Sequence, residues 1–211
     1  MMKKTISVVA LIILLIGCAC AEGVDMELWQ HEAGWTSFQL VLSQDELNSV
    51  WEENVEAFGE SMGIPGLTVA QMKSMLLQGM SMESGVDELS VEGSRMTGWN
   101  ADGTEVFSHE YTLAETLEDK SILGGVKMYV FRTEEKDAGD YTYLLMTEPV
   151  KTEGENVGYT TFNLVCTGRK DYRNLFKGKS VIVPCTMIGK DTTMEGLAFA
   201  IERLFATPAV K

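Results

Sequence analysis

Histidine is the scarcest residue able to do acid–base or metal chemistry in this chain of 211 residues, which has only His31 and His109. Each is followed by a glutamate, Glu32 and Glu110, and together these groups could form a weak metal site of imidazole and carboxylate ligands. The chain has no His-Glu-x-x-His motif and no phosphate-binding glycine loop, so the motifs of zinc-protease and nucleotide chemistry are missing. We therefore expect a protein that is not an enzyme and that carries no cofactor.

Sulfur offers a second kind of ligand. Met72, Met75, Met80 and Met82 are close together in the sequence, and thioethers suit Cu(I). Met72 and Met75 also fall on the apolar stripe of a predicted helix, where methionine fills irregular gaps in a core. We therefore favour core packing for these methionines over copper binding.

Two cysteines, Cys166 and Cys185, lie in the part of the chain that we expect to fold. A pair of this kind usually forms a disulfide in an oxidising compartment. We predict that bond, and a pair of buried thiols is the alternative.

The N-terminal segment 1–21 has the layout of a secretory signal, with Lys3 and Lys4 before a short apolar run. The sequence Leu15-Ile16-Gly17-Cys18 resembles a lipoprotein signal box, which would leave a lipidated Cys18 as the mature N-terminus. Cleavage after Ala19-Cys20-Ala21 would instead release a secreted protein. Either way, we expect a protein that works outside the cytoplasm, in the cell envelope or beyond it.

The rest of the chain, residues 22–211, is the right length for a single domain. Its acidic character, with a formal net charge of −14 for the whole chain, opposes binding to nucleic acid and to anionic membrane surfaces. We therefore expect contact with a membrane only through the N-terminal anchor.

Hydrophobic periodicity supplies the elements that must position these groups. Apolar residues at helical spacing predict helices over residues 44–58, 68–79 and 193–205, with capping boxes at Ser43 and Glu46 and at Thr68 and Gln71. Alternation with a period of two, interrupted by Gly- and Asp-rich turns, predicts an antiparallel meander. The predicted strands span residues 28–42, 86–91, 95–99, 105–113, 126–133, 141–150, 159–167 and 180–185.

The stretches Gly125-Val126-Lys127-Met128-Tyr129-Val130-Phe131 and Asp140-Tyr141-Thr142-Tyr143-Leu144 resemble the middle of the ZinT family of lipocalin-like periplasmic zinc-binding proteins. The order of elements agrees: a tryptophan-bearing first strand, two helices and a meander. The resemblance implies a mainly β fold with flanking helices, in which the meander closes into a calycin-like barrel. The helix predicted at the C-terminus, residues 193–205, has no counterpart in the family pattern.

The zinc ligands of that family are three histidines on two neighbouring strands, and two of them belong to a His-Phe-His triplet. By the resemblance, the triplet falls on Thr161, Phe162 and Asn163, and the remaining histidine falls on Thr147 or Pro149. None of these residues is a usual zinc ligand, so we expect no metal at this position.

The same comparison places Thr161 and Asn163 inside the barrel, and alternation then assigns other polar and aromatic residues to the interior. On the strand 105–113, the alternating set of Phe107, Tyr111 and Leu113 includes His109. Such an interior suits a small, mostly apolar ligand, although a packed core is the alternative. The cavity candidates are Phe107, His109, Tyr111, Tyr141, Tyr143, Thr147, Tyr159, Thr161 and Asn163.

The sequence thus favours an exported, lipid-anchored, non-catalytic barrel that binds a small apolar or mixed-polarity ligand. One alternative is divergent extracytoplasmic binding of zinc or copper. Another is a structural or interaction module of the cell envelope, with a solid barrel and an envelope protein as partner.

Overall fold

Short strands dominate the described part of the chain, and in this computed structural model they form one antiparallel sheet of ten strands. The structure describes residues 26–79, 85–118, 125–176 and 182–205, so the predicted signal sequence with Cys18, together with Met80 and Met82, lies outside them. The strands are β1 (Trp35–Ser37), β2 (Glu88–Glu92), β3 (Arg95–Trp99), β4 (Glu105–Glu110), β5 (Thr112–Leu117), β6 (Met128–Arg132), β7 (Tyr143–Thr147), β8 (Val150–Glu153), β9 (Gly158–Thr167) and β10 (Cys185–Gly189). The helices are α1 (Phe38–Leu42), α2 (Asn48–Met62), α3 (Val69–Gly79) and α4 (Met194–Phe205).

The order of strands shows how the sheet curls. Neighbours run β4-β3-β2-β1-β10-β9-β7-β6-β5, and β8 also pairs with β9. The two strands at the ends of this path, β4 and β5, follow each other directly in the chain. The sheet therefore forms a nearly closed antiparallel barrel, which confirms the predicted fold class.

Tyr111 forms the corner between β4 and β5, where the sequence predicted one continuous strand. Its side chain is fully buried, its backbone N–H donates to the carbonyl of Ser94 at 2.8 Å, and its hydroxyl donates to the carbonyl of Tyr141 at 2.6 Å. This anchoring ends one strand and starts the next. Leu113, expected inside, lies beyond the corner and is 41% exposed.

The N-terminal part differs from the predicted strand over residues 28–42. A 3-10 turn covers Met26–Trp29, β1 has only three residues, and α1 follows at once. The cause is Ser37, whose extended backbone and side-chain oxygen cap the helix by accepting from Leu40 N at 3.3 Å. Three helices therefore follow β1 instead of the two that we predicted.

Helix α2 continues past Gly59, the residue expected to end it, and stops at Gly63. Gly63 adopts a left-handed φ of 71° and donates its N–H to the last helical carbonyls, a conformation that glycine adopts without strain. Gly59 serves packing instead, because a Cβ there would lie 2.8 Å from the carbonyl oxygen of Ile64. The predicted capping box of α3 is present, with reciprocal bonds between Thr68 and Gln71 of 3.0 and 3.3 Å.

The four helices cover one part of the outer face of the barrel. Their buried apolar residues meet Tyr159 of β9 and Ile188 of β10 in one cluster, which also contains Met72 and the partly buried Met75. The core role predicted for these two methionines is therefore confirmed. None of the helices within the described ranges is long and apolar enough to span a membrane.

Large aromatic side chains fill the barrel interior. Trp29 packs edge-to-face on Tyr129 and Phe131 with ring centroids 5.3 and 5.2 Å apart, and Trp35 packs in the same way on Phe162 at 4.8 Å. These side chains belong to one buried cluster of the described residues. Burial of so much apolar surface is the main source of stability for the barrel.

The last strand begins later than predicted, at Cys185 instead of residue 180. Residues 177–181 lie outside the described part, so the first half of that predicted strand is not compared. In the β9–β10 register Cys185 lies opposite Leu164, two residues from Cys166. Such diagonal neighbours are farther apart than the 3.5–4.5 Å or so between Cβ atoms that a disulfide needs. Both cysteines are free thiols, which corrects the predicted disulfide.

Candidate metal centre

The loop between β6 and β7 carries the acidic residues of the candidate site, and hydrogen bonds fix its path. The N–H of Thr133 donates to the carbonyl of Thr142 at 3.1 Å, which closes the base of the loop. The N–H of Glu135 donates to the hydroxyl of Thr133 at 3.2 Å. A tight turn follows, in which Tyr141 N donates to the carbonyl of Ala138 at 2.8 Å. The loop therefore holds residues 135 and 137 over the end of β4.

His109, near the end of β4, meets this loop. Its Nδ1 lies 3.0 Å from Oε2 of Glu135, and one potential ligand atom from each of His109, Glu135 and Asp137 lies within 4.8 Å of the other two. The imidazole is buried, at 8% exposure, whereas the carboxylates are exposed. Across the described residues, this is the group of histidine and acidic side chains that could hold a metal ion.

The surroundings of the site orient its ligands. The ring of His109 stacks on Phe107 with centroids 6.2 Å apart and meets the edge of Tyr111 at 6.4 Å. The second carboxylate oxygen of Glu135 accepts the N–H of Glu110 at 2.9 Å. This backbone bond, and then the contact with His109, hold the pKa of Glu135 below its usual range. Glu135 is therefore ionised at neutral pH and is held next to the imidazole.

The sequence identified His109 as a candidate but missed Glu135 and Asp137. The acidic residues of this loop gave no signal, because acidic residues are common throughout so acidic a chain. The contact joins residues 26 positions apart on a strand and a later loop. No local pattern marks such a contact, although a histidine on the apolar side of a strand was a partial signal.

The nine predicted cavity residues do not share one interior. Phe107, Tyr111 and Tyr141 belong to the interior cluster, with His109 on the same face of β4 as Phe107. Tyr141 also stacks on Phe107 with centroids 4.7 Å apart. The other five candidates alternate with interior residues and face outward: Tyr143, Thr147, Tyr159, Thr161 and Asn163.

The register of β9 explains this division. Phe162 pairs with Met187, and Leu164 pairs with Cys185, and all four side chains belong to the interior cluster. Since strand residues alternate between faces, Thr161 and Asn163 point outward, opposite to the expectation. The inward positions are apolar, so neither face of this stretch of β9 presents a zinc-binding histidine.

Four of the five outward residues make side-chain contacts with neighbouring elements: Tyr143, Thr147, Tyr159 and Asn163. Asn163 donates its N–H to Thr147 Oγ1 at 2.8 Å and accepts from Thr186 Oγ1 at 3.0 Å. Tyr143 packs on Tyr172 at 5.0 Å, and Tyr159 on Phe199 of α4 at 5.9 Å. These contacts join the sheet to its outer covering.

His31 occupies a different environment. Its Nε2 lies 3.3 Å from Asp191, and its ring meets Trp35 edge-on at 4.9 Å. It lines an open groove of about 860 Å³ together with residues of β2 and Trp99. Each histidine thus has its own carboxylate partner, and the weak joint site considered from the sequence is not formed by these pairs.

The structure is a nearly closed antiparallel barrel with helices on its outer face. A histidine–carboxylate cluster lies at the loop between β6 and β7. Among solved structures, the Zn(II)-bound ZinT-like domain of Streptococcus pneumoniae AdcA is similar, with a TM-score of 0.55 and 17% identity over 90% of this chain and 94% of that domain. Zn(II)-bound AdcA from the same organism gives a TM-score of 0.57 at 17% identity. The match covers 90% of this chain and 37% of AdcA.

These comparisons confirm the ZinT-like, calycin-like fold that the sequence resemblance implied. No protein-family model matches the chain, and no curated protein does. At 17% identity the likeness concerns the fold. The ligands of a metal site in this chain must therefore be argued from its own residues.

Proposed function

We propose that this protein binds one divalent metal ion, with zinc as the best fit, through His109, Glu135 and Asp137. The observation that carries the proposal is the convergence of an imidazole nitrogen and two carboxylates within 4.8 Å. This is the metal-binding alternative of the sequence analysis, at a position different from the strands that hold the histidines in the ZinT family.

The donor set favours zinc over harder ions. Zinc accepts histidine nitrogen and carboxylate oxygen at about 2.0–2.2 Å and takes about four ligands. Calcium needs six to eight oxygens and magnesium about six, more than three side chains of this kind provide. Three protein ligands leave one position for water, and the exposed carboxylates of Glu135 and Asp137 can rotate to close around the ion.

The structure also supplies support behind the ligands. Packing by Phe107 and Tyr111 holds the His109 ring, and the Glu110 N–H holds one oxygen of Glu135. Partners of this kind orient metal ligands and typically change affinity by about 10- to 100-fold. The support favours a defined site over loose attraction of cations to an acidic surface.

Location and role complete the proposal. The predicted secretory signal at residues 1–21 and the predicted lipidation motif at Cys18 support a position outside the cytoplasm with a lipid anchor. The scarcity of histidine, with no His-Glu-x-x-His motif, supports a non-catalytic role. The zinc-bound state of the similar AdcA domain supports zinc as the first ion to test.

The deciding experiment is a calorimetric zinc titration of the metal-stripped protein, its His109→Ala variant and its His31→Ala variant. We expect one site in the wild type, a loss of affinity of about 100-fold or more for His109→Ala, and little change for His31→Ala. The two variants remove the same side chain, so general effects of losing a histidine cancel. Equal zinc binding by His109→Ala and the wild type would refute the proposal.

Small-ligand binding, the leading interpretation of the sequence, is a second candidate function. The groove beside His31, of about 860 Å³, favours it because this volume suits a small molecule. Its lining combines Trp35 and Trp99 with polar groups such as Gln30 and Lys190. A ligand in this groove should change tryptophan fluorescence in the wild type and should lose affinity in Trp99→Ala.

A further inference from the structure

Three sulfur-bearing side chains lie on the interior face of the sheet where β9 pairs with β10. Cys185 and Met187 are two residues apart on β10 and share the interior face, and Cys166 lies diagonally across on the same face of β9. The Cys185 sulfur lies 3.2 Å from the Met187 sulfur. The fold thus places two free thiols and one thioether on one face of two neighbouring strands.

A cavity gives access to this group. Its volume is about 250 Å³, and both cysteines line it. Cys185 is buried and Cys166 is half-buried, while the exposed residues Asp140 and Arg169 lie at the same cavity. Met187 is fully buried behind Cys185. An ion entering the cavity would reach the two thiols first and the thioether beyond them.

We propose that Cys166, Cys185 and Met187 form a binding site for a soft monovalent metal ion, Cu(I). Thiolate and thioether sulfurs select Cu(I) over harder ions, and three sulfur donors match the low coordination number of this ion. The site differs from the copper site considered for the clustered methionines, because it uses cysteines and a different part of the chain.

Binding of Cu(I) to the two thiols would release protons. Burial raises the pKa of both thiols, so both are protonated in the empty site. Binding of one Cu(I) forms two copper–thiolate bonds and releases two protons, while Met187 donates a lone pair without losing a proton. No electron is transferred, so no oxidant or reductant takes part.

The site is independent of the proposed zinc centre. Its donors are sulfurs inside the barrel, whereas the zinc ligands are nitrogen and oxygen atoms at the loop between β6 and β7. His109→Ala should therefore leave Cu(I) binding intact, and loss of the cysteines should leave zinc binding at His109 intact. Either proposal can fail while the other holds.

The test is anaerobic transfer of Cu(I) from its bicinchoninate complex to the full chain. Loss of the colour of that complex measures the transfer. We expect one Cu(I) per wild-type chain beyond any held by Cys18 and Cys20. In the double variant Cys166→Ser and Cys185→Ser, which keeps Cys18 and Cys20, we expect this affinity to fall by about 100-fold or more. Met187→Leu should weaken it by about tenfold, and the control Met146→Leu, another fully buried interior methionine, should not.

Two results would overturn the proposal. One is equal transfer to the wild type and the double cysteine variant, with both proteins shown to be folded by circular dichroism. The other is a thiol count on unfolded, unreduced protein from its native host that finds no thiols beyond Cys18 and Cys20, because cysteines in a disulfide cannot supply thiolate ligands. Two additional thiols together with cysteine-dependent transfer would support it.

Discussion

Two polar regions of the barrel differ in what their side chains are paired with. On β7, β9 and β10, Thr147, Asn163 and Thr186 hydrogen bond to one another or to backbone, and none of them carries a charge. At the loop between β6 and β7, His109 lies beside the carboxyl groups of Glu135 and Asp137. The sequence resemblance places the zinc position of the ZinT family in the first region, but the histidine–carboxylate cluster lies in the second.

This difference shows that the residues that form the barrel are not the residues that could bind a metal ion. A barrel needs alternating apolar residues, and β9 supplies Phe162 and Leu164 on its inner face. A metal site needs several ionisable groups that converge where solvent or an ion can reach them. The loop provides this convergence without disturbing the packed interior, so loss of metal should leave the barrel folded.

Removal of an interior ring gives the largest expected effect. Phe162 is 2% exposed and packs on Trp35, so Phe162→Ala should lower the free energy of unfolding by about 3–5 kcal/mol. Urea unfolding measures the change. Phe199→Ala, which removes a half-buried ring on the outer layer, should cost less. A loss below about 1 kcal/mol for Phe162→Ala would show that the interior is a loose cavity instead of a packed core.

Zinc affinity tests the candidate metal site at the loop between β6 and β7. Asp137→Asn replaces a carboxylate ligand by a neutral amide, and we expect zinc affinity to fall by about 10- to 100-fold, or about 1.4–2.7 kcal/mol. Calorimetric titration measures this loss. Asp140→Asn is the matched control, because Asp140 is exposed on the same loop but does not belong to the cluster. Equal losses in the two variants would indicate general attraction of cations in place of a defined site.

The fold was largely predictable because it follows from local patterns. Neighbouring residues alone predict the capping box of Thr68 and Gln71 and the turn between the strands predicted at 86–91 and 95–99. Both are present, the turn at Gly93. The corner at Tyr111 was missed, because it depends on hydrogen bonds to Ser94 and Tyr141. Residues distant in the sequence decide such a feature.

The candidate site was less predictable than the fold. The phase of β9 was wrong because the family resemblance placed Thr161 and Asn163 inside. Phe162 pairs with Met187, and both belong to the interior cluster, so the alternate residues of β9 face inward. His109 was named, but its partners Glu135 and Asp137 become neighbours only when the loop folds over β4. The predicted disulfide failed for the same reason, since only the register of β9 and β10 fixes the separation of the two cysteines.

Acid should affect the folded protein through Glu135. Its pKa is lowered in the folded state, first by the Glu110 N–H and then by His109. A carboxyl group of this kind stabilises the fold above about pH 4.5, and this contribution is lost as the pH falls through the lower folded-state pKa. Urea unfolding from pH 7 to pH 3 should therefore show a smaller loss of stability for Glu135→Gln than for the wild type. Parallel pH curves would exclude this role of Glu135.

The smallest effect is expected on the outer face of β9. Thr161 lies between Val150 of β8 and Ile188 of β10, in surroundings that suit a β-branched apolar side chain. Thr161→Val should therefore change the free energy of unfolding by less than about 1 kcal/mol and should leave zinc affinity unchanged. Urea unfolding and zinc titration of the same preparation measure both quantities.

Thr161→Val tests the comparison most sharply, because Thr161 is a position where the sequence resemblance places a zinc-binding histidine. If the ion bound on β9, loss of the hydroxyl would reduce zinc affinity while Asp137→Asn had no effect. If the ion binds at the loop, the two variants give the opposite pattern. The pair therefore assigns zinc to one region even if both variants remain fully folded.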